Sequence, residues 1–532
     1  MAVRWSTHRL DADGRGSSRG ASLQHRTKMS GPAPVLNRTR GPDIVPGCAA
    51  RRCGNEIDTR ARPAAGAVIC GGLVISQTGK PLPVPTPEPA PEKPARETWG
   101  TRVGFVLAAV GSAVGLGNMW RFPYVVADSG GAAFVVLYIG LLLFIGVPIL
   151  LAELAVGRSS KLSPVGALRS AGGKGWVPLG MLYVATGFLI LAYYSVIAGW
   201  TVRYALEAIV VGFPADAGAR FEAISSSPAA IGYHIAFMAV AVVIVMGGIK
   251  KGIERASLVL MPLLALILVG IAAWAVTLEG GSAGYIFYLR PSFEELFDPH
   301  VLSRAAGQAF FSLSLGMGAM LTYASYLSRR EDINGQACSI AGADFGIAFV
   351  AGLAIFPIIA ALGLSGQVGE SAIGALYIAI PGAFEAMGVA GRVVGILFFL
   401  ALIVGALTSA ISLMEVVTSS VIDELKISRK KAALLTGGAI AALGIIPAVS
   451  LGALDVMDRL AGDLFLVFGA FLIAVFVGWR MKHAAEELAT GAGPFFARLV
   501  PVWVFLLRFV IPPVLLVVLY NSVRTTISAF TG

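Results

Sequence analysis

Long apolar runs separated by short charged loops fill the chain from about residue 100 onward. They fall at 102–125, 132–156, 178–209, 229–248, 256–277, 303–327, 338–364, 392–421, 432–449, 456–480 and 498–521. An α-helix needs about 20 such residues to cross a hydrocarbon layer roughly 30 Å thick, so eleven transmembrane helices are predicted. Two runs are interrupted in the middle: the first by GSAVGLGN (111–118), the sixth by SLSLGMGAM (312–320). Glycine weakens a helix interior, and a bilayer offers nothing to the backbone groups it frees. A break is tolerated there only against protein, a water-filled cavity or a ligand. Breaks five helices apart point to two inverted repeats, about 100–277 and 303–480, with a binding site at the membrane midplane. Opposed half-helix ends offer amides to a carboxylate and carbonyls to a cation. A glycine-rich packing face is the competing account, and the matched pair of breaks weighs against it.

Charge alternates from loop to loop. One set carries Arg158, Lys161, Arg169 and Lys174, then Lys250, Lys251 and Arg255, then Arg329 and Arg330, then Lys426, Arg429, Lys430 and Lys431. The intervening loops carry Asp216, Glu222, Glu279, Glu294, Glu295 and Asp298. The positive-inside rule puts the N-terminus in the cytoplasm, and eleven spans then put the C-terminus outside a plasma (inner) membrane. GESAIGALYIAIPGAFEAM (369–387) follows the seventh run and is expected as short helices over the entrance.

Composition agrees with an all-α polytopic membrane protein. Of 532 residues 56% are hydrophobic and 14% charged, and the mean hydropathy of +0.78 excludes an ordinary soluble protein. Residues 1–96 supply +8 of the formal +10 charge, so the high pI describes this tail and implies no nucleic-acid partner. The tail ends in PLPVPTPEPAPEKPARE and is expected to be disordered. Its one apolar run, AGAVICGGLVI (65–75), is too short to span and too far from the N-terminus for a cleaved signal peptide; Met29 offers a second start. The transporter domain is set at 97–527. Cys48 and Cys53 in CAARRC lack further ligands for a metal site, and Cys70 and Cys338 add no disulfide framework. GLSG (363–366) suggests a serine nucleophile, but the only histidine after it is His483, in a loop. No GxxxxGK[ST] motif is present. Neither an enzyme nor an ATP-driven pump is expected.

WGTRVGFVLAAVGSAVGLGNMWRFPY (99–124), GQAFFSLSLGMGAMLTYASY (307–326) and ALTSAISLMEVVTSSVIDELKISRKKA (406–432) resemble the neurotransmitter:sodium symporter family, in its bacterial amino-acid transporter branch. The resemblance covers about residues 96–521. It implies the leucine-transporter-like (LeuT-like) 5+5 inverted-repeat fold with helices 1 and 6 unwound at mid-membrane, and two sodium sites without an organic cofactor. Site 1 would use Ala113, Asn118, Ser312 and Asp344 together with the substrate carboxylate; site 2 would use Gly111, Val114, Gly405, Thr408 and Ser409. A ligand shared between ion and substrate makes their binding interdependent. Set against the family, VAGLAIFP (350–357) puts Asp344 where the leucine transporter has an asparagine and Ala348 where it has a glutamate. Animal members use chloride near this place, and an acid already present would stand in for it, so chloride is not expected.

The resemblance further implies a substrate site of Ser112, Ala113, Leu116, Gly117, Ile190, Tyr194, Phe311, Ser312, Ser314, Met317, Ser409 and Leu413. Tyr194 would donate to the carboxylate and Phe311 would cap the site. Amine-transporting relatives carry an aspartate where this chain has Gly115. The side-chain subsite of Ile190, Met317 and Leu413 is apolar, which implies a neutral hydrophobic amino acid. Flexible Met317 in place of a phenylalanine would admit larger, even aromatic, side chains. Arg121 with Asp458, paired through water or directly, would gate the outer side above Phe311 and Tyr194. Arg96 with Asp423, near Ser325 and Tyr326, would gate the inner side, and Glu153 would support the unwound segments. The implied function is a sodium-coupled amino-acid symporter, with a non-transporting sensor or leak channel on the same fold as the alternative. The oligomeric state stays open.

Overall fold

The structure is a computed structural model that describes residues 68–70, 73–75, 96–292, 294–363 and 372–531. Two units separate along the chain, Met1–Pro91 and Glu92–Gly532. In the first, β1 (Val68–Cys70) and β2 (Leu73–Ile75) pair antiparallel with Val68 opposite Ile75 and Cys70 opposite Leu73. These two strands lie within the tail expected to be disordered; the rest of that tail up to residue 95 lies outside the described residues. So does GLSG beyond Gly363.

The second unit is helical. Its principal elements are α1 (Arg102–Ala113), α2 (Gly117–Asp128), α3 (Ala132–Ser160), α4 (Pro164–Gly172), α5 (Lys174–Val210), α6 (Ala229–Met246), α7 (Ile249–Ala275), α8 (Pro299–Ser312), α9 (Ala319–Ala324), α10 (Ile333–Ala361), α11 (Gly388–Leu425), α12 (Arg429–Val449), α13 (Leu451–Arg480) and α14 (Pro494–Ser528). Among the described residues nine helices are long and apolar enough to cross a membrane, or ten if α1 and α2, bent by 60°, form one span. The eleven expected from run length are not reached by that measure. The sixth run divides into α8 and α9 of 14 and 6 residues, each too short to qualify.

Helix ends also depart from the apolar runs. The Asp332 side chain caps α10 by accepting from Asn334 and Gly335 amides, so this helix starts five residues before the run at 338. Capped polar turns extend helices where hydropathy has already fallen. Between α10 and α11 the described chain forms the short helix Leu376–Ala386.

Packing centres on the broken elements. The half-helix α1 lies against α7, α10 and α11, while α11 runs along α5 and α3 holds both α8 and α9. Glycines permit the closest approaches. A Cβ at Gly157 of α3 would overlap the Leu321 carbonyl oxygen, and one at Gly316 would overlap that of Leu466. Gly316 and Gly318 take φ of 80° and 74°, the left-handed region in which a side chain is strained. Arg158 ends α3 fully buried, and its guanidinium donates to the Glu487 carboxylate at 2.7 Å, to the Thr490 carbonyl at 3.0 Å and to the carbonyls of Glu331 and Glu487. A full set of acceptors is what makes a buried guanidinium tolerable.

Gly316→Ala combines unfavourable φ with a backbone clash and is expected to lower stability by at least about 2 kcal/mol. Thermal unfolding of the detergent-solubilised protein checks this; an unchanged melting temperature would contradict the described turn.

Candidate functional site

Backbone geometry at the first break comes from residues too small to interfere. Val114 leaves α1 in an extended conformation, φ −81° and ψ 91°. A helix end leaves its last carbonyls without intrahelical partners, and here side chains reach them. Ser409 Oγ of α11 donates to the Gly111 and Ser112 carbonyls at 3.2 and 3.3 Å, and Ser314 Oγ from the second break donates to the Ser112 carbonyl at 2.7 Å. The Leu116 amide, where the chain turns into α2, donates to the Tyr194 hydroxyl at 3.2 Å. A Cβ at Gly115 would sit 2.5 Å from Ser409 Oγ and 2.9 Å from the Tyr194 hydroxyl, and one at Gly117 would sit 2.7 Å from the Phe311 ring. Both glycines are therefore the space that these three side chains occupy.

Two oxygen-rich clusters flank the break. In one, Asn118 Nδ2 donates to Asp344 Oδ1 at 2.7 Å and to the Asp344 carbonyl at 3.1 Å, while Ser312 Oγ donates to Oδ2 at 2.6 Å. Tyr138 donates its hydroxyl to Ser312 Oγ at 2.9 Å and approaches Asp344 Oδ2 at 3.3 Å. All four side chains are buried. Among the described residues the donors to this carboxylate are neutral, so a small cation would fit here, because an unpaired buried charge is costly. In the other cluster every oxygen is neutral. Thr408 Oγ1 donates to the Val404 and Gly405 carbonyls at 3.2 and 3.0 Å, Ser409 reaches Gly111, and a Cβ at Gly405 would be 3.6 Å from the Val114 carbonyl oxygen. Among the described residues no three His, Cys, Asp or Glu side chains cluster as a metal site. Carbonyl, hydroxyl and carboxylate oxygens suit a hard cation rather than a transition metal.

Beside these clusters, Ser112 Oγ donates to Ser412 Oγ at 2.7 Å. Ile190, Met317 and Leu413 are buried apolar side chains of the same core. Ser314 holds φ at 54°, rare for a residue with a side chain, which is what aims its hydroxyl across the two breaks. Glu153 of α3 accepts from the Gly316 amide at 2.8 Å and the Leu321 amide at 3.4 Å, satisfying donors freed at the second break.

The two ends of the core differ. At one, Arg96 donates to Asp423 at 2.8 Å and to Ser325 Oγ at 2.9 Å, with its guanidinium 4.7 Å from the Tyr326 ring centre. Asp423 also accepts the Ser163 amide at 2.8 Å, so this end is closed. At the other, a cavity of about 430 Å³ reaches from Asp458, Asp463 and Arg121 to Leu116, Tyr194 and Phe311. Here Arg121 and Asp458 share the cavity without a direct ion pair. Arg121 lies 3.6 Å from Asp463, and Asp458 instead accepts the Tyr193 hydroxyl at 2.8 Å. From Arg459 to Phe465, the stretch that carries Asp463, α13 is π-helical. Arg121 also covers the Phe311 ring at 4.5 Å.

Sequence reasoning missed Tyr138, Tyr193, Ser412 and Asp463. An acid inside an apolar run is a signal that would have found Asp463, and the i, i+3 spacing from Ser409 would have found Ser412. Nothing marks Tyr138 among Phe122, Phe134 and Phe345, the rings it packs against.

The sodium:neurotransmitter symporter family matches residues 96–223 and 222–530. An uncharacterized sodium-dependent transporter of Methanocaldococcus jannaschii is 35% identical over 464 residues, 82% of this chain and 92% of that protein. The uncharacterized sodium-dependent transporter YhdH of Bacillus subtilis is 33% identical over 453 residues, 81% of this chain and 98% of that protein. The crystal structure of MhsT in complex with L-phenylalanine matches 80% of this chain and all of that one, with 40% identity and a TM-score of 0.73.

Tyr138→Phe removes one donor from the Asp344 cluster and is expected to cost about 1–2 kcal/mol of stability. Denaturation in sodium-free buffer measures it, and a variant as stable as the parent would show that the hydroxyl contributes nothing.

Proposed function

The chain belongs to the sodium:neurotransmitter symporter family, and on that premise we propose that it imports neutral, hydrophobic amino acids with two sodium ions by alternating access, without chloride. It is a multi-pass, sodium-dependent membrane transporter of leucine-transporter-like fold, not an enzyme. Substrate class, ion number, sidedness and chloride independence are the proposal.

The observation that carries it is the buried Asp344 carboxylate, met by Asn118, Ser312 and Tyr138 and by no cation among the described residues. Sodium at the first site would lie among Asp344, Asn118, Ser312 and the Ala113 carbonyl, with the substrate carboxylate as a further ligand. Sodium at the second would lie among the carbonyls of Gly111, Val114 and Gly405 and the hydroxyls of Thr408 and Ser409. An ion at either site replaces hydrogen bonds that now hold the breaks, so binding and conformation are linked.

Recognition of the amino acid divides by chemistry. The Tyr194 hydroxyl accepts from Leu116 and keeps its own proton to donate to a carboxylate beside the Leu116 and Gly117 amides. Ser112, Ser314 and Ser409 supply polar contacts, Phe311 closes the top, and Ile190, Met317 and Leu413 leave no charge for an acidic or basic side chain. The phenylalanine bound in MhsT supports an aromatic or large aliphatic substrate. Asp344 supplies the negative charge that would otherwise call for chloride, and Ala348 adds none.

In the cycle the Arg96 end would face the cytoplasm with the N-terminus, and the cavity at Arg121 would face outside. Sodium favours the form closed at Arg96 and assembles the substrate site. Closure over Phe311, Arg121, Asp458 and Asp463 precedes release past Arg96, Asp423, Ser325 and Tyr326. Each net charge moved inward gains about 2.3 kcal/mol per 100 mV of membrane potential.

Uptake of labelled phenylalanine or leucine into proteoliposomes, competed by a panel of amino acids with sodium and chloride varied separately, tests the reading. Neutral hydrophobic competitors are expected to inhibit, aspartate and lysine to fail, and uptake to vanish without a sodium gradient. Uptake undiminished without that gradient would overturn the coupling, and a sensor would show binding without uptake. Asp344→Asn is expected to make transport require chloride, with chloride-free uptake about tenfold lower, roughly 1.4 kcal/mol. Unchanged chloride-free uptake by that variant would sink the role given to the charge.

A further inference from the structure

The Arg96 end is held by more than its ion pair. The Gly100 amide donates to Glu254 Oε2 at 2.7 Å and Thr101 Oγ1 donates to Glu254 Oε1 at 2.8 Å. The same Thr101 hydroxyl caps α1 by accepting the Gly104 amide at 2.9 Å. Glu254, near the start of α7, is only 4% exposed, and both its oxygens are spent on the approach to α1. A Cβ at Gly104 would overlap the Glu254 carboxyl, so glycine at 104 is what lets a carboxylate lie flat against the first turn of the helix. A negative charge at that end also meets the positive end of the helix dipole.

The contact belongs to one continuous seam. Seven residues along α7 from Glu254, on the same face, the Met261 sulfur lies 3.0 Å from where a Gly111 Cβ would be. Gly111 is one of the carbonyls assigned to the second ion, so α7 supports α1 from its capped start to its ion-binding end. Glu97 adds a bond to the same helix, accepting the Ile249 amide at 2.7 Å. Charge-assisted hydrogen bonds shielded from water hold harder than a part-exposed ion pair such as Arg96–Asp423.

We propose that Glu254 is a positioning residue of the transport cycle: its carboxylate latches the start of α1 to α7 while the Arg96 end is closed, and releases it when that end opens. This rests on the alternating-access reading above. Weakening the latch shifts the population toward the form open at Arg96, and so lowers apparent sodium affinity by the factor by which the closed fraction falls.

The test uses the full chain with its four cysteines replaced by serine and Ala108→Cys as reporter on α1, purified and labelled by a water-soluble maleimide with and without sodium. Sodium is expected to slow labelling in this parent. Glu254→Gln, Thr101→Val and Gly104→Ala, which attack the contact from both sides, are each expected to raise labelling in sodium about threefold and to weaken sodium binding about threefold. Lys251→Gln, on the exposed side of the same turn, is expected to leave both as in the parent. Parent-like labelling and sodium affinity in the latch variants that purify as monodisperse protein would overturn the latch. A parent that sodium does not protect would instead overturn the alternating-access reading, and the latch with it.

Discussion

A hydrocarbon interior offers a freed backbone amide or carbonyl nothing to bond, so every group released at the two breaks must find a partner within the protein. That constraint organises the core. Ser409 and Ser314 meet the carbonyls at the end of α1, the Tyr194 hydroxyl meets the Leu116 amide, and Glu153 meets the amides beyond the second break. The partners come from three helices and from the second break itself, so the breaks fix the relative placement of α3, α5, α11 and the turn between α8 and α9. These are also bonds that an ion or a carboxylate can replace. The site is stable enough to hold its shape and loose enough to be remade around cargo.

The ends of the molecule are built from unequal halves. Asp423 is held by the Ser163 amide at the start of α4 as well as by Arg96, and Arg169 of α4 pairs with neighbouring Glu424 at 2.9 Å. The acidic half of that gate thus sits on elements tied to each other, whereas Arg96, Glu97, Gly100 and Thr101 all belong to one short approach to α1. At the opposite end the cavity separates Arg121 and Phe311 from Asp458. In the proposed cycle, closure there would bring groups together across water, while opening at Arg96 would peel one strand of chain away from a prepared surface.

Run length revealed most of the spanning helices because hydrocarbon thickness acts directly on sequence. It was blind to their ends, where caps such as Asp332 extend a helix through polar residues, and to the sixth span, whose two pieces each fall below the length a crossing needs. The small residues at 111–118 mark the break in the sequence only together with the second set at 312–320, since one glycine-rich stretch alone also suits a helix packing face. Asn118, Ser312 and Asp344 were assembled from three distant stretches only through the family resemblance, and the structure joins them by hydrogen bonds. Tyr138 stayed hidden because its hydroxyl is the only polar atom on an aromatic ring within an apolar run.

Gly115 carries a consequence for how such a chain can diversify. Its missing side chain is already filled by the Ser409 and Tyr194 oxygens, so an acid introduced there would meet both before it met any cargo. A side chain at 115 therefore calls for the Ser409 hydroxyl on α11 and the Tyr194 hydroxyl on α5 to swing aside, which couples what stands at 115 to two helices that it does not belong to.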